Sequence, residues 1–137
     1  MSDCLDLFEE LADRPSVLFG SHFPAFISFM LELAANSELT HHNRIKALDL
    51  IPTFAVTKSK LFMKSKLAQP ILHSCFSIMV APLDLDTLDP DEQSIRDYVV
   101  EVVDAVSAHL PSEVVFPIVV SVLALCSLYI TVNILRI

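Results

Sequence analysis

The sequence predicts an all-α protein, an α-solenoid segment of about three stacked helix pairs closed by an apolar C-terminal helix. Three observations predict it. Apolar residues recur at the three-and-four spacing of a helix face through most of residues 1–110. The 137 residues contain one glycine, Gly20, too few for the hairpin turns and bulges of a sheet protein or for a phosphate-cradling loop. Finally, Phe23-Pro24, Gln69-Pro70 and Phe116-Pro117 each open an apolar helix, at intervals of 46 and 47 residues. That period falls at the upper end of the range for repeated helix pairs, which bury their faces only by stacking on one another.

Each element has its own signals. Leu5, Phe8, Leu11 and Ala12 mark a short helix ahead of Pro15. Phe23, Phe26, Ile27, Met30, Leu31 and Ala34 form one stripe, predicting a helix over about 22–36. Ile45, Leu48, Ile51 and Ala55 form a stripe beside Ala47, Leu50 and Phe54, so a helix over about 41–57 packs on two sides, with a kink at Pro52. Leu67, Ile71, Leu72, Cys75, Phe76, Met79 and Val80 predict another helix, stopped at Ala81-Pro82 because a residue before proline disfavours helical geometry. Ile95, Tyr98, Val99, Val102, Val103 and Val106 predict the next. Its start is signalled by Asp89 as cap, Pro90 in the first turn and Glu92 at the capping-box position. Phe116-Pro117 then begins the last, apolar helix.

Composition narrows the function classes. The apolar share is 53% and the formal net charge is -8, with a sequence pI of about 4.9. Such a balance disfavours direct binding to nucleic-acid phosphate and favours basic partners. Cys4, Cys75 and Cys126 are odd in number and widely spaced, giving neither a disulfide framework nor a metal clip and suiting a reducing compartment. The acidic start Met1-Ser2-Asp3-Cys4-Leu5-Asp6 lacks the pattern of a secretory signal. His22, His41, His42, His73 and His109 are scattered, and no nucleophile, base or metal spacing is defensible, so neither an enzyme nor a cofactor is expected.

Charge is strongly segregated. His41 to Lys66 holds six basic residues (Arg44, Lys46, Lys58, Lys60, Lys64, Lys66) against Asp49 alone. Asp84 to Asp104 holds eight acids (Asp84, Asp86, Asp89, Asp91, Glu92, Asp97, Glu101, Asp104) against Arg96 alone. The basic block reads as a solvated ridge whose lysine stems cover apolar surface, or as a site for phosphates or an acidic partner.

The run Arg44-Ile45-Lys46-Ala47-Leu48-Asp49-Leu50-Ile51 resembles the first helix of HEAT repeats in the importin-β (karyopherin-β) family. Leu72-His73-Ser74-Cys75-Phe76-Ser77-Ile78-Met79-Val80-Ala81, followed by Leu88-Asp89-Pro90-Asp91-Glu92 and then Ala108-His109-Leu110-Pro111, is similar to the importin-4 branch of that family. The resemblance covers about residues 5–120. It implies a segment of a nuclear import receptor, shuttling between cytoplasm and nucleus, that carries basic cargo such as histones and ribosomal proteins and releases it to Ran-GTP. It also implies that an acidic loop, here Asp84, Asp86, Asp89, Asp91 and Glu92, holds that cargo. A polyanionic loop attracts Lys/Arg-rich segments at long range whatever its family. The competing reading is a solvated linker whose acids only offset the dipole of the next helix.

The division expected is a HEAT-repeat segment over 1–120, with its acidic linker at about 82–94, and an apolar tail over 121–137 that departs from the family. Residues 114–137 carry only Arg136 as a charge, which meets the length of a membrane span. A tail-anchored membrane adaptor with a helical-repeat domain is therefore the alternative expectation. The absence of a basic cluster before the segment, where Glu113 stands, argues against it.

Overall fold

The computed structural model describes residues 2–12, 20–81 and 90–134. The chain is all-helical, and no strand occurs among the described residues. The helices are α1 (Ser2–Ala12), α2 (Phe23–Ala35), α3 (His41–Thr57), α4 (Ser59–Lys64), α5 (Ala68–Val80), α6 (Pro90–His109) and α7 (Ser112–Ile134), with a 3-10 turn at Gly20–His22.

Local chemistry sets most of the boundaries. Pro24 lies in the first turn of α2, where a missing N–H costs nothing. After Ala35 the Glu38 amide donates to Asn36 Oδ1 at 2.9 Å, a turn that leads directly into α3. Thr40 is extended before α3, and its carbonyl accepts the amides of Asn43 and Arg44. Pro52 lies inside α3 and removes the donor that would meet the Leu48 carbonyl; one turn on, the hydroxyls of Thr53 and Thr57 donate back to Asp49 and Thr53 carbonyls. Pro90 is the first residue of α6, as its fixed φ favours.

Two elements differ from the sequence expectation. The helix α4 is new: it holds a single buried side chain, Phe62, in a run of lysines, too short a pattern to show a period. The last helix starts at Ser112, not at Phe116-Pro117. The Pro111 carbonyl accepts the amides of Val114 at 2.9 Å and Val115 at 3.1 Å, which begins the helix early and leaves Pro117 inside it. The three matched prolines therefore do not hold equivalent helical positions.

One turn uses a strained residue. Lys66 has φ of 53°, in the left-handed region. Its amide meets the Met63 carbonyl at 3.2 Å, and the Leu67 amide meets the Phe62 carbonyl at 3.4 Å. These two bonds are the Schellman closure of α4, in which the left-handed position is usually glycine. Phe62 and Leu67, the apolar pair that accompanies such a closure, are both buried.

The core is continuous across the helices. α3 is its centre: Leu48, Ile51 and Ala55 and, beside them, Ala47, Leu50 and Phe54 are all buried, matching the two-sided packing the sequence predicts. It packs mainly on α6 and α2, and also on α1. From α6 come Ile95, Val99, Val102 and Val106, and from α5 come Ile71, Leu72 and Cys75. An aromatic chain runs Phe8, Phe26, Phe54, Phe23, Phe62, with edge-to-face centroid distances of 4.8, 5.1, 5.7 and 5.5 Å. The packing forms two rows: α3 touches α1 and α6, while α5 touches α2 and α7, and the rows meet through α2 with α3 and α5 with α6. Helices thus pack on near neighbours in the chain, the contact pattern of a stacked helical array.

α7 runs unbroken across Val120-Ser121. Val115 and Val122 are buried, whereas Phe116, Val120, Leu123, Leu125 and Leu128 are exposed. Among the described residues no helix is long and apolar enough to cross a membrane. The expected span at 114–137 gains no support: its first half includes core residues, and Pro117, Ser121, Ser127 and Thr131 interrupt its apolar character.

Candidate functional site

Of the five acids expected to form a site, Asp84, Asp86 and Asp89 lie outside the described residues. Asp91 and Glu92 belong to the first turn of α6, and their side chains lie outside the described ones. The two ends of the segment that carries them are held together. Ala81, extended at φ −54° and ψ 137°, leaves α5, and its carbonyl accepts a 2.7 Å hydrogen bond from Arg96 Nη2 in the second turn of α6. The acid-rich connection therefore begins and ends at one end of the helix pair.

α6 extends the acidic character beyond those five. Asp97, Glu101 and Asp104 are all exposed, at the three-and-four spacing that places them on one face, opposite the buried Ile95, Val99, Val102 and Val106. The sequence reading counted these acids but assigned them no place; their spacing against the valine stripe was the available signal. The arrangement provides a strip of carboxylates with no catalytic chemistry attached.

The basic block is not one ridge. Arg44 is buried, and its Nε donates to the Ala34 carbonyl at 2.9 Å. Lys46 Nζ pairs with Asp6 on α1. What remains is Lys58, Lys60, Lys64 and Lys66, gathered around α4 at the connection into α5 and without ion pairs among the described residues. Beside them is a cleft of about 400 Å³ lined by Phe62, Met63, Leu67, Leu110, Val114 and Ile118, with Lys66 at its rim.

Reactive groups are few. Cys75 is buried and desolvation pushes its thiol up to about 12, so it is a core residue and no nucleophile at neutral pH. His41 and His42 sit at adjacent positions in the first turn of α3 and point in different directions. His109 Nδ1 donates to the Ala105 carbonyl at 2.8 Å. Among the described residues no group of three His, Cys, Asp or Glu side chains is arranged to hold a metal.

Comparison with known proteins gives a consistent relation. The chain is 28% identical to importin-4 of Mus musculus over 135 residues, covering 88% of this chain and 12% of that protein. It is 28% identical to importin-4 of Homo sapiens over 129 residues, covering 84% of this chain and 12% of the relative. No family model and no solved structure matches. The resemblance to the importin-β family that the two sequence blocks carry is thereby borne out, and the chain spans about one eighth of the length of these curated relatives.

Proposed function

We propose that this chain acts as a segment of an importin-type nuclear import receptor that binds basic cargo through its acid-rich α5–α6 connection. Asp84, Asp86, Asp89, Asp91 and Glu92 supply a long-range attraction for Lys/Arg-rich segments such as those of histones and ribosomal proteins. Asp97, Glu101 and Asp104 continue the negative surface along α6. The observation that carries this reading is the exposed acidic face of α6, continuous in sequence with five further acids, in an all-helical chain similar to importin-4. The same charge disfavours nucleic acid as a direct ligand.

On this reading the helices form HEAT-type pairs, α2 with α3 and α5 with α6, flanked by α1 and α7. Residues 1–120 are the repeat segment, and 121–137 the apolar tail. Ran-GTP enters as the family's cargo-releasing partner, with no residue here assigned to it, and the sites of action are cytoplasm and nucleus. The protein works by shape and charge, without catalysis. No observation favours the membrane adaptor.

A histone-tail peptide titrated onto the full chain at low and moderate salt tests the proposal. Binding is expected to weaken with salt and to fall again when Asp84, Asp86, Asp89, Asp91 and Glu92 are neutralised to their amides. Absence of binding at both salts, or binding indifferent to the five substitutions, overturns it.

A further inference from the structure

The cleft between α4, the start of α5 and the start of α7 has the size of a ligand site, in the range of roughly 300–1,000 Å³. Its floor is apolar, from Phe62, Leu67 and Leu110, and its walls are the half-buried Val114 and Ile118. Lys66 stands at the rim, held in place by the α4 closure, and Lys64, the last residue of α4, is exposed two positions before it. Such a site suits an extended segment that alternates apolar side chains with carboxylates. This chain contains one: Pro82-Leu83-Asp84-Leu85-Asp86-Thr87-Leu88-Asp89.

The segment does not reach the cleft of its own molecule. Both its ends are fixed far from it, at Ala81 beside Arg96 and at Pro90. The cleft lies at the other end of α5, ~18 Å away by helix rise, and at the other end of α6, ~30 Å away. The path out and back, nearly 50 Å by these rises, exceeds the ~30 Å that nine extended peptide units span. A second copy has no such restriction.

We propose that the cleft lined by Phe62, Leu67, Leu110, Val114 and Ile118 and rimmed by Lys66 docks the Leu/Asp segment 82–89 of a second copy of this chain. The leucines enter the apolar floor and the aspartates face the lysines of α4. Because the cleft and the ends of the acidic segment lie at opposite ends of the α5–α6 pair, each copy offers both halves of the contact, and copies either add in series or close as an antiparallel two-fold pair. The contact occupies the acids that the cargo reading uses, yet it rests on the cleft and not on that reading. A failure of histone-tail binding leaves it standing.

The probe is a labelled peptide of residues 82–89 titrated onto the full-length chain, alongside sedimentation of the chain at increasing concentration. Saturable binding is expected, weakened by salt. It is reduced about two- to fivefold by Lys66→Gly, which removes the rim charge while suiting the left-handed backbone. It is reduced about tenfold or more when the three peptide leucines become serine. Concentration-dependent oligomers are expected, and excess peptide dissolves them. No peptide binding at low salt overturns the proposal, as does binding unchanged by both Lys66→Gly and the serine peptide. Oligomers that resist the peptide but disperse with Leu125→Asp and Leu128→Asp also overturn it, since α7 would then be the contact.

Discussion

Arg44 Nε donates to the Ala34 carbonyl at 2.9 Å, joining the second turn of α3 to the last turn of α2 through a buried cation. The carbonyl is one of the four that a helix end leaves without an internal partner, and the positive charge faces the negative end of the helix dipole. One side chain thus closes α2 and fixes the angle at which α3 leaves it. Arg44→Met is expected to destabilise the chain by about 2–3 kcal/mol, the scale of a charged hydrogen bond lost from a buried acceptor. Urea unfolding measures it; a loss below about 0.5 kcal/mol would show the bond to be incidental.

Phe23 is fully buried at the crossing of the aromatic chain, in edge contact with Phe54 and Phe62. Phe23→Ala is expected to cost about 3–5 kcal/mol, enough to unfold a marginal domain. Phe23→Leu, which retains most of the volume, should leave a folded protein with a lowered urea midpoint. Equal effects of the two variants would deny that the cavity is the cause.

Lys66 adopts a left-handed conformation at the closure of α4 that costs about 1–2 kcal/mol for a residue with a Cβ. Lys66→Gly is expected to leave stability unchanged or raise it by up to about 1 kcal/mol, the gain being partly offset by the freedom glycine adds to the unfolded chain. Lys66→Pro, which fixes φ near −65°, should be strongly destabilising. A melting temperature that falls with glycine contradicts this account.

The Cys75 thiol is raised from 9.0 to about 12 by burial. The folded state therefore holds its proton where the unfolded chain has released it. The stability contribution is fully present below pH 9 and is lost as pH rises from 9 to 12, with a slope approaching ~1.4 kcal/mol per pH unit. Cys75→Ala should flatten the alkaline arm of the stability profile relative to the unaltered chain. In alkylation at pH 8, exposed Cys4 should react while Cys75 stays protected until denaturant is added.

Leu125 and Leu128 are exposed on α7, whereas Val115 is buried against the core. Leu125→Asp and Leu128→Asp should each change stability by less than about 0.5 kcal/mol, and Val115→Asp should unfold the terminal packing. Matched denaturation curves for the three variants check this division of the helix.

The helices with strong punctuation were legible. α2 and α3 begin and end within a residue of the ranges their stripes predict, and α5 ends where the Ala81-Pro82 step predicts. α4 was hidden, since one phenylalanine among lysines has no period. The start of α7 was misplaced because a proline inside a helix carries the same local signature as one at its start, and the capping carbonyl of Pro111 has none. The burial of Arg44 was equally unreadable, for only the tertiary approach of α2 reveals its acceptor. For the acids, composition gave the sign of the surface, and the helical face of Asp97, Glu101 and Asp104 required the packing of α6.

The two rows of helices have a mechanical consequence. Each element leans on its nearest partners, and α1 makes no substantial contact with α7 to brace the ends against each other. Bending is then distributed over the joints between successive pairs, so a small rotation at each accumulates along the array. In an array of this kind curvature follows from the small rotation at each joint and not from any single helix.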